Sequence, residues 1–145
     1  MSAGKPLPRI DDDTRAYWAG CARGELLLQH CRDCGYVQFY QRALCGRCLG
    51  AGLEHRPASG RGTIYSFSTV YRPPSPEFKD DVPYTVVLVE LAEGPRMIST
   101  LVDAAPETVG LGQAVEVVFD MIAPDVALPR FRRVDPRCTF TPAAP

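Results

Sequence analysis

Four cysteines set the tightest limit on what this chain can fold into. They follow the spacing Cys31-x2-Cys34-x10-Cys45-x2-Cys48. Two thiolates separated by two residues converge on one ion across a tight turn, and two such knuckles supply four ligands. Gly35 follows the first knuckle and Gly46 lies inside the second, where they are expected to give the backbone the freedom such turns need. Backbone amides inside each turn can donate to the sulfurs and soften their charge. Four thiolates around zinc leave no open position for water, so the expected metal is one structural Zn2+ per chain. Iron in a rubredoxin-like site is the chemical competitor. Such a lobe has little core of its own, so metal binding would supply its folding energy, on the order of 10 kcal/mol.

A length of 145 residues fits one ordinary domain, or two small lobes sharing a core. No apolar run approaches the ~18 residues of a membrane span. The first residues are polar and carry no apolar signal core, so a cytoplasmic protein is expected. A reducing compartment favours metal ligands over disulfides. Cys21 and Cys138 fall outside the spacing and read as buried or free thiols, and His30 and His55 as solvated or hydrogen-bonded side chains. Net charge is −1, with four basic and two acidic residues in 28–57 against eight basic and eleven acidic in 58–145. That is not the strong basic footprint of a nucleic-acid binder.

The expected order of elements runs from helix to strands. Asp11, Asp12 and Asp13 suit the positive end of a helix, Tyr17, Trp18 and Cys21 make one apolar face, and Gly24 is a stop, which predicts a helix over 12–23. Trp18 either docks that helix or belongs to a partner interface. Leu26, Leu27 and Leu28 predict a short strand leading into the cysteines, and Pro57 to Gly62 marks a boundary. Five strands follow: 63–71, 84–92, 96–102, 115–122 and one near 130–134 that continues towards Phe140. In 115–122, Val115, Val117, Phe119 and Met121 share one face. Residues 72–83 hold four prolines and predict a long loop, and 103–114 leave room for one helical turn. Short strands separated by turns suggest a small closed or nearly closed barrel. The organisation is then an N-terminal tail and helix (1–27), a zinc ribbon (28–57) and a barrel (58–145), mainly β overall.

Chemistry of the chain's own is hard to argue. There is no G-x-S-x-G, no H-E-x-x-H and no phosphate-binding glycine loop. Asp80 and Asp81 are adjacent carboxylates in a polar loop and read as solvated.

The ordered segments "YWAG…GELLLQHC", the ribbon, "SGRGTIYSFSTV", "PYTVVLVELAEGPRM" and "VGLGQAVEVVF" resemble the small zinc-ribbon/OB-fold proteins associated with acyl-CoA metabolism, over about residues 10–140. One departure stands at Phe39-Tyr40-Gln41-Arg42, where the family commonly has prolines. The resemblance implies an N-terminal helix, a rubredoxin-like zinc ribbon and a five-stranded OB-fold barrel. It also implies a non-catalytic partner of a thiolase-type enzyme that carries the catalytic residues, with a 2:2 assembly as the expected stoichiometry.

Three functions are therefore weighed. An accessory subunit would dock through exposed aromatics, for which Trp18, Tyr40, Tyr71, Phe78 and Tyr84 are the candidates. A stand-alone acyl-CoA binder or carrier would need cations for the phosphates, for which Arg42, Arg47, Arg72 and Lys79 are the candidates. A single-stranded nucleic-acid binder would stack bases on aromatics of the first barrel strand, such as Tyr65 and Phe67.

Overall fold

The computed structural model describes residues 4–135. Cys138 and the expected continuation of the last strand to Phe140 lie outside the described residues. The fold is mainly β, with one helix α1 (Arg15–Ala22), a three-stranded sheet and a closed five-stranded barrel.

The helix starts later than the acidic run suggests, because Asp11 to Thr14 form a turn that feeds it. The Thr14 amide donates to Asp11 Oδ1 and the Asp11 amide donates back to Thr14 Oγ1, each at 3.0 Å. These bonds from Thr14 pull the Asp11 carboxyl below its ordinary value. Gly24, at φ +79, ends the helix, with the Glu25 amide reaching back to the Gly20 carbonyl at 2.9 Å. Tyr17 and Cys21 are the buried anchors of this helix, and Trp18 is half-buried beside Tyr17.

The small sheet has the order β2-β1-β3, from β1 (Leu27–Cys31), β2 (Val37–Gln38) and β3 (Leu53–Pro57), all antiparallel. The barrel runs β4-β5-β6-β8-β7, from β4 (Arg61–Val70), β5 (Tyr84–Leu91), β6 (Arg96–Val102), β7 (Ala114–Ala123) and β8 (Val126–Arg133). It closes where β4 pairs β7, and only β6 and β8 run parallel. On β7 the inward face holds as far as Phe119, but Met121 is exposed. The proline-rich loop and the segment before β7 each contain one 3-10 turn, at Pro76–Phe78 and Pro106–Thr108.

Two glycines explain why β4 begins as it does. Gly60 adopts φ +77 and packs against Val117. At Gly62 a Cβ would stand 2.5 Å from the Glu90 carbonyl oxygen and 2.7 Å from Val89 Cγ1, so the backbones of β4 and β5 meet there without room for a side chain. Between Ile64 and Ser66 the register shifts, and Tyr65 is the extra residue of a bulge, turned outward.

One apolar core joins all three parts. Tyr17 and Cys21 from α1, Leu26 just before β1, Leu28 from β1, and Ile64, Val87, Val89, Met97, Val115 and Phe131 from the barrel form a single buried cluster. The helix packs on β8, β7 and β1. The ribbon thus rests on the barrel's core as well as on its cysteines.

Candidate metal centre and groove

The sequence delivers the first knuckle on a strand. Cys31 ends β1, its amide donates to the Tyr36 carbonyl at 2.8 Å, and the Gly35 amide closes the turn onto the Cys31 carbonyl at 2.9 Å. Gly35 takes φ +74, as its role in the turn requires. The second knuckle differs from expectation. Gly46 is not left-handed; the left-handed residue there is Leu49, at φ 62. The Cys45 amide donates to the Gly50 carbonyl at 2.9 Å.

The four Sγ atoms lie within 4.8 Å of one another. Cys31 and Cys48 are separated by 3.6 Å, and Cys34 and Cys45 by 3.7 Å. A tetrahedron with metal–sulfur bonds of about 2.3 Å has sulfur–sulfur edges of about 3.8 Å. Those separations are far too long for disulfides, at about 2.05 Å, and the donor set fits a tetrathiolate ion. The Arg47 and Gly50 amides point at Cys45 Sγ and Cys48 Sγ, each at 3.4 Å. The backbone N–H of Cys48, aided by that of Arg47, draws the Cys45 thiol down to about 7. Backbone dipoles favour the thiolate at Cys45, whereas at Cys34 and Cys48 the neighbouring sulfurs outweigh them and push the thiols up, so that a cation at the centre is what lets all four ionise together.

Sequence reasoning missed a set of glutamines behind this cluster. Gln29 and Gln38 are buried, face each other across β1 and β2, and hold the chain that leads to Cys45. Gln41 Nε2 donates to the Phe39 carbonyl at 2.8 Å, and its Oε1 lies 2.8 Å from His55 Nε2. A polar residue ending the apolar run Leu26-Leu27-Leu28 was the available signal.

A groove of about 1270 Å3 runs where helix, ribbon loop, proline-rich loop and barrel meet. It brings together Trp18, Tyr40, Phe78 and Tyr84, four of the five aromatic candidates; Tyr71 does not line it and is exposed. Phe78 and Tyr84 are half-buried rather than free on an arm. Glu77, Asp80, Asp81 and Asp120 line the groove against two cations, Lys5 and Arg130. Lys5 pairs with Asp81 at 2.5 Å and Arg130 with Asp120 at 3.1 Å, which leaves the groove with an acidic excess. None of Arg42, Arg47, Arg72 and Lys79 lines it; the first two sit on the ribbon and the others on the proline-rich loop, all exposed. Tyr65 and Phe67 lie on the barrel surface, with the Arg96 guanidinium 3.6 Å above the Tyr65 ring. Burial pushes the Cys21 thiol up to about 11, which makes it a poor nucleophile. Among the described residues no helix is long and apolar enough to cross a membrane.

Comparison with known proteins places these features. A family described as "ChsH2, rubredoxin-like zinc ribbon domain" matches residues 18–54, and one described as "ChsH2, C-terminal OB-fold domain" matches 55–120. A DUF35 domain-containing scaffold protein of Methanothermobacter thermautotrophicus is 44% identical over 98 residues, covering 67% of this chain and 73% of that protein. A probable enoyl-CoA hydratase alpha subunit of Thermomonospora curvata is 31% identical over 133 residues, 92% of this chain. The present chain spans 41% of that relative's length. A solved structure described as "Ltp2-ChsH2(DUF35) aldolase" superposes with a TM-score of 0.79 at 31% identity, covering 88% of this chain and 98% of that one.

Proposed function

Because this chain belongs to the DUF35 family of zinc-ribbon and OB-fold proteins, we propose that it is a non-catalytic accessory subunit of a thiolase-like enzyme acting on acyl-CoA. The partner carries out thiolytic or retro-aldol C–C cleavage, or acyl transfer, and this chain supports the partner's fold, pocket or substrate handling. The relative described as an Ltp2-ChsH2(DUF35) aldolase and those named scaffold proteins support the accessory role. The thiolase-like identity, the 2:2 stoichiometry and a cytoplasmic setting are part of the same proposal. So are the division at 27/28 and 57/58 and one structural Zn2+ on Cys31, Cys34, Cys45 and Cys48.

The observation that carries this reading is the groove. Four candidate interface aromatics converge in it, beside an acidic excess. Its occupant is a segment of the partner enzyme that presents apolar side chains with lysine or arginine. Complementary charge steers such a segment in, and buried aromatics anchor it. The same charge repels the phosphates of CoA. A CoA held by Arg42, Arg47, Arg72 and Lys79 would lie on the outer surface, away from the groove.

Calorimetry separates the readings. Titration of the isolated protein with a CoA thioester is expected to give no heat of binding, and titration with the partner enzyme a saturable one. Tight CoA binding without a partner would replace the accessory role with the carrier role.

A further inference from the structure

The two knuckles of the ribbon are not held alike. Cys31 belongs to a strand, whereas Cys45 and Cys48 follow residues 39–44, which form neither helix nor strand. Four hydrogen bonds through two side-chain amides bridge this gap. Gln38 Oε1 accepts the Gly46 amide at 2.9 Å, inside the second knuckle. Gln38 Nε2 donates to Gln29 Oε1 at 2.7 Å. Gln29 then clasps the backbone of Arg42 from both sides: its Oε1 accepts the Arg42 amide and its Nε2 donates to the Arg42 carbonyl, each at 3.0 Å. Donors and acceptors alternate along this path, so neither amide can be turned over without opposing like groups.

Burying two carboxamides at 4% and 7% exposure costs free energy unless their polar atoms are paired. Here three of the bonds go to the backbone of the loop and knuckle, and an apolar residue at either position would leave those groups unpaired. Neutral amides also suit a place beside a net-negative tetrathiolate centre, where a carboxylate would repel it. We propose that the Gln29–Gln38 pair is the positioning device of the metal centre: it holds the second knuckle at the spacing at which Cys45 and Cys48 complete the shell. The inference rests on the metal reading above. Both glutamines are positioning residues, and neither touches the ion.

The test uses the full chain loaded with zinc, and the variants Gln29→Met, Gln38→Met and the double variant. Zinc release to a colorimetric chelator is expected to speed up about 10–100-fold in each single variant. Because the two amides act in series, the double variant should release no faster than the faster single one. The Co2+-substituted variants should keep a tetrahedral thiolate spectrum. Leu101→Ala, which weakens the shared core without touching the glutamine path, should speed release far less than either glutamine variant. Unchanged release in the glutamine variants, or equal acceleration in Leu101→Ala, overturns the proposal. Amide hydrogen exchange in the unaltered protein needs no variant to fold: Gly46 and Arg42 should exchange as slowly as the β1 amides, and free exchange at both overturns the proposal. Purified protein that holds no zinc would strike the metal reading instead, and exchange at Gly46 and Arg42 would still decide whether the glutamines hold the loop.

Discussion

Tyr17 of the helix meets Phe39 of the ribbon loop edge-on, with ring centroids 5.7 Å apart and planes at 78°. This contact ties α1 to the segment between the knuckles. Burial pushes the Tyr17 hydroxyl above its ordinary range, as expected for a ring anchored in the core. Tyr17→Ala should cost about 3 kcal/mol by cavity formation, measured by urea unfolding. Since one core joins helix, ribbon and barrel, the loss should appear as a single shifted transition for all three.

Gly62 offers a sharper test of the barrel. Gly62→Ala forces a methyl against the Glu90 carbonyl and should cost about 1–3 kcal/mol. Gly110→Ala, whose nearest neighbour atom would lie 3.7 Å away, should change stability by no more than about 0.5 kcal/mol. Thermal melting of the two variants side by side checks the contrast.

Acid should release the metal. Thiolates bind zinc and thiols do not, so protons compete with the ion and affinity falls as pH falls. Metal analysis after dialysis across a pH series should give one zinc per chain at neutral pH and a progressive loss below it. Cys34→Ser should bind zinc more weakly and loosen the two knuckles locally, seen as broadened resonances around 32–36 and 45–50, while resonances of the shared core persist.

The groove predicts an asymmetry among surface variants. Tyr40 is 54% exposed, so Tyr40→Ala should leave folding intact. As a buried anchor in the assembly it should weaken partner binding by about 2 kcal/mol, roughly 30-fold. Asp80→Lys should slow association most strongly at low salt. Arg72→Ala and Lys79→Ala should bind the partner as the parent does. Surface-immobilised partner and a salt series supply the rates.

Much of this was legible beforehand because local rules decided it. Cysteine spacing located the cluster, and β-branched and aromatic richness, an apolar run, turn residues and, in 115–122, alternation located β4 to β7 nearly to the residue. β8 was expected near 130 but begins at Val126, since Pro124 and Pro129 look like breakers. The fold absorbs both. Asp125, at φ 62, turns the hairpin after Pro124. Pro129 lies beside β6 before the parallel ladder begins at Leu101–Phe131, and its carbonyl is served by Ser99 Oγ at 2.7 Å. β2 and β3 were missed because strands of two and five residues in a cysteine-rich segment carry little periodicity. The groove and the glutamine pair depend on residues distant in sequence, which only the closed fold assembles.

The central claim, a metal-stapled accessory subunit whose partner does the chemistry, meets its most direct test in co-expression with a thiolase-like acyl-CoA enzyme from the same organism. Size-exclusion chromatography with light scattering, followed by assay of the fractions, should give a stable 2:2 heteromer that holds the activity, and an enzyme impaired when made alone. Separate elution of the two proteins, with the enzyme fully active by itself, would contradict the account.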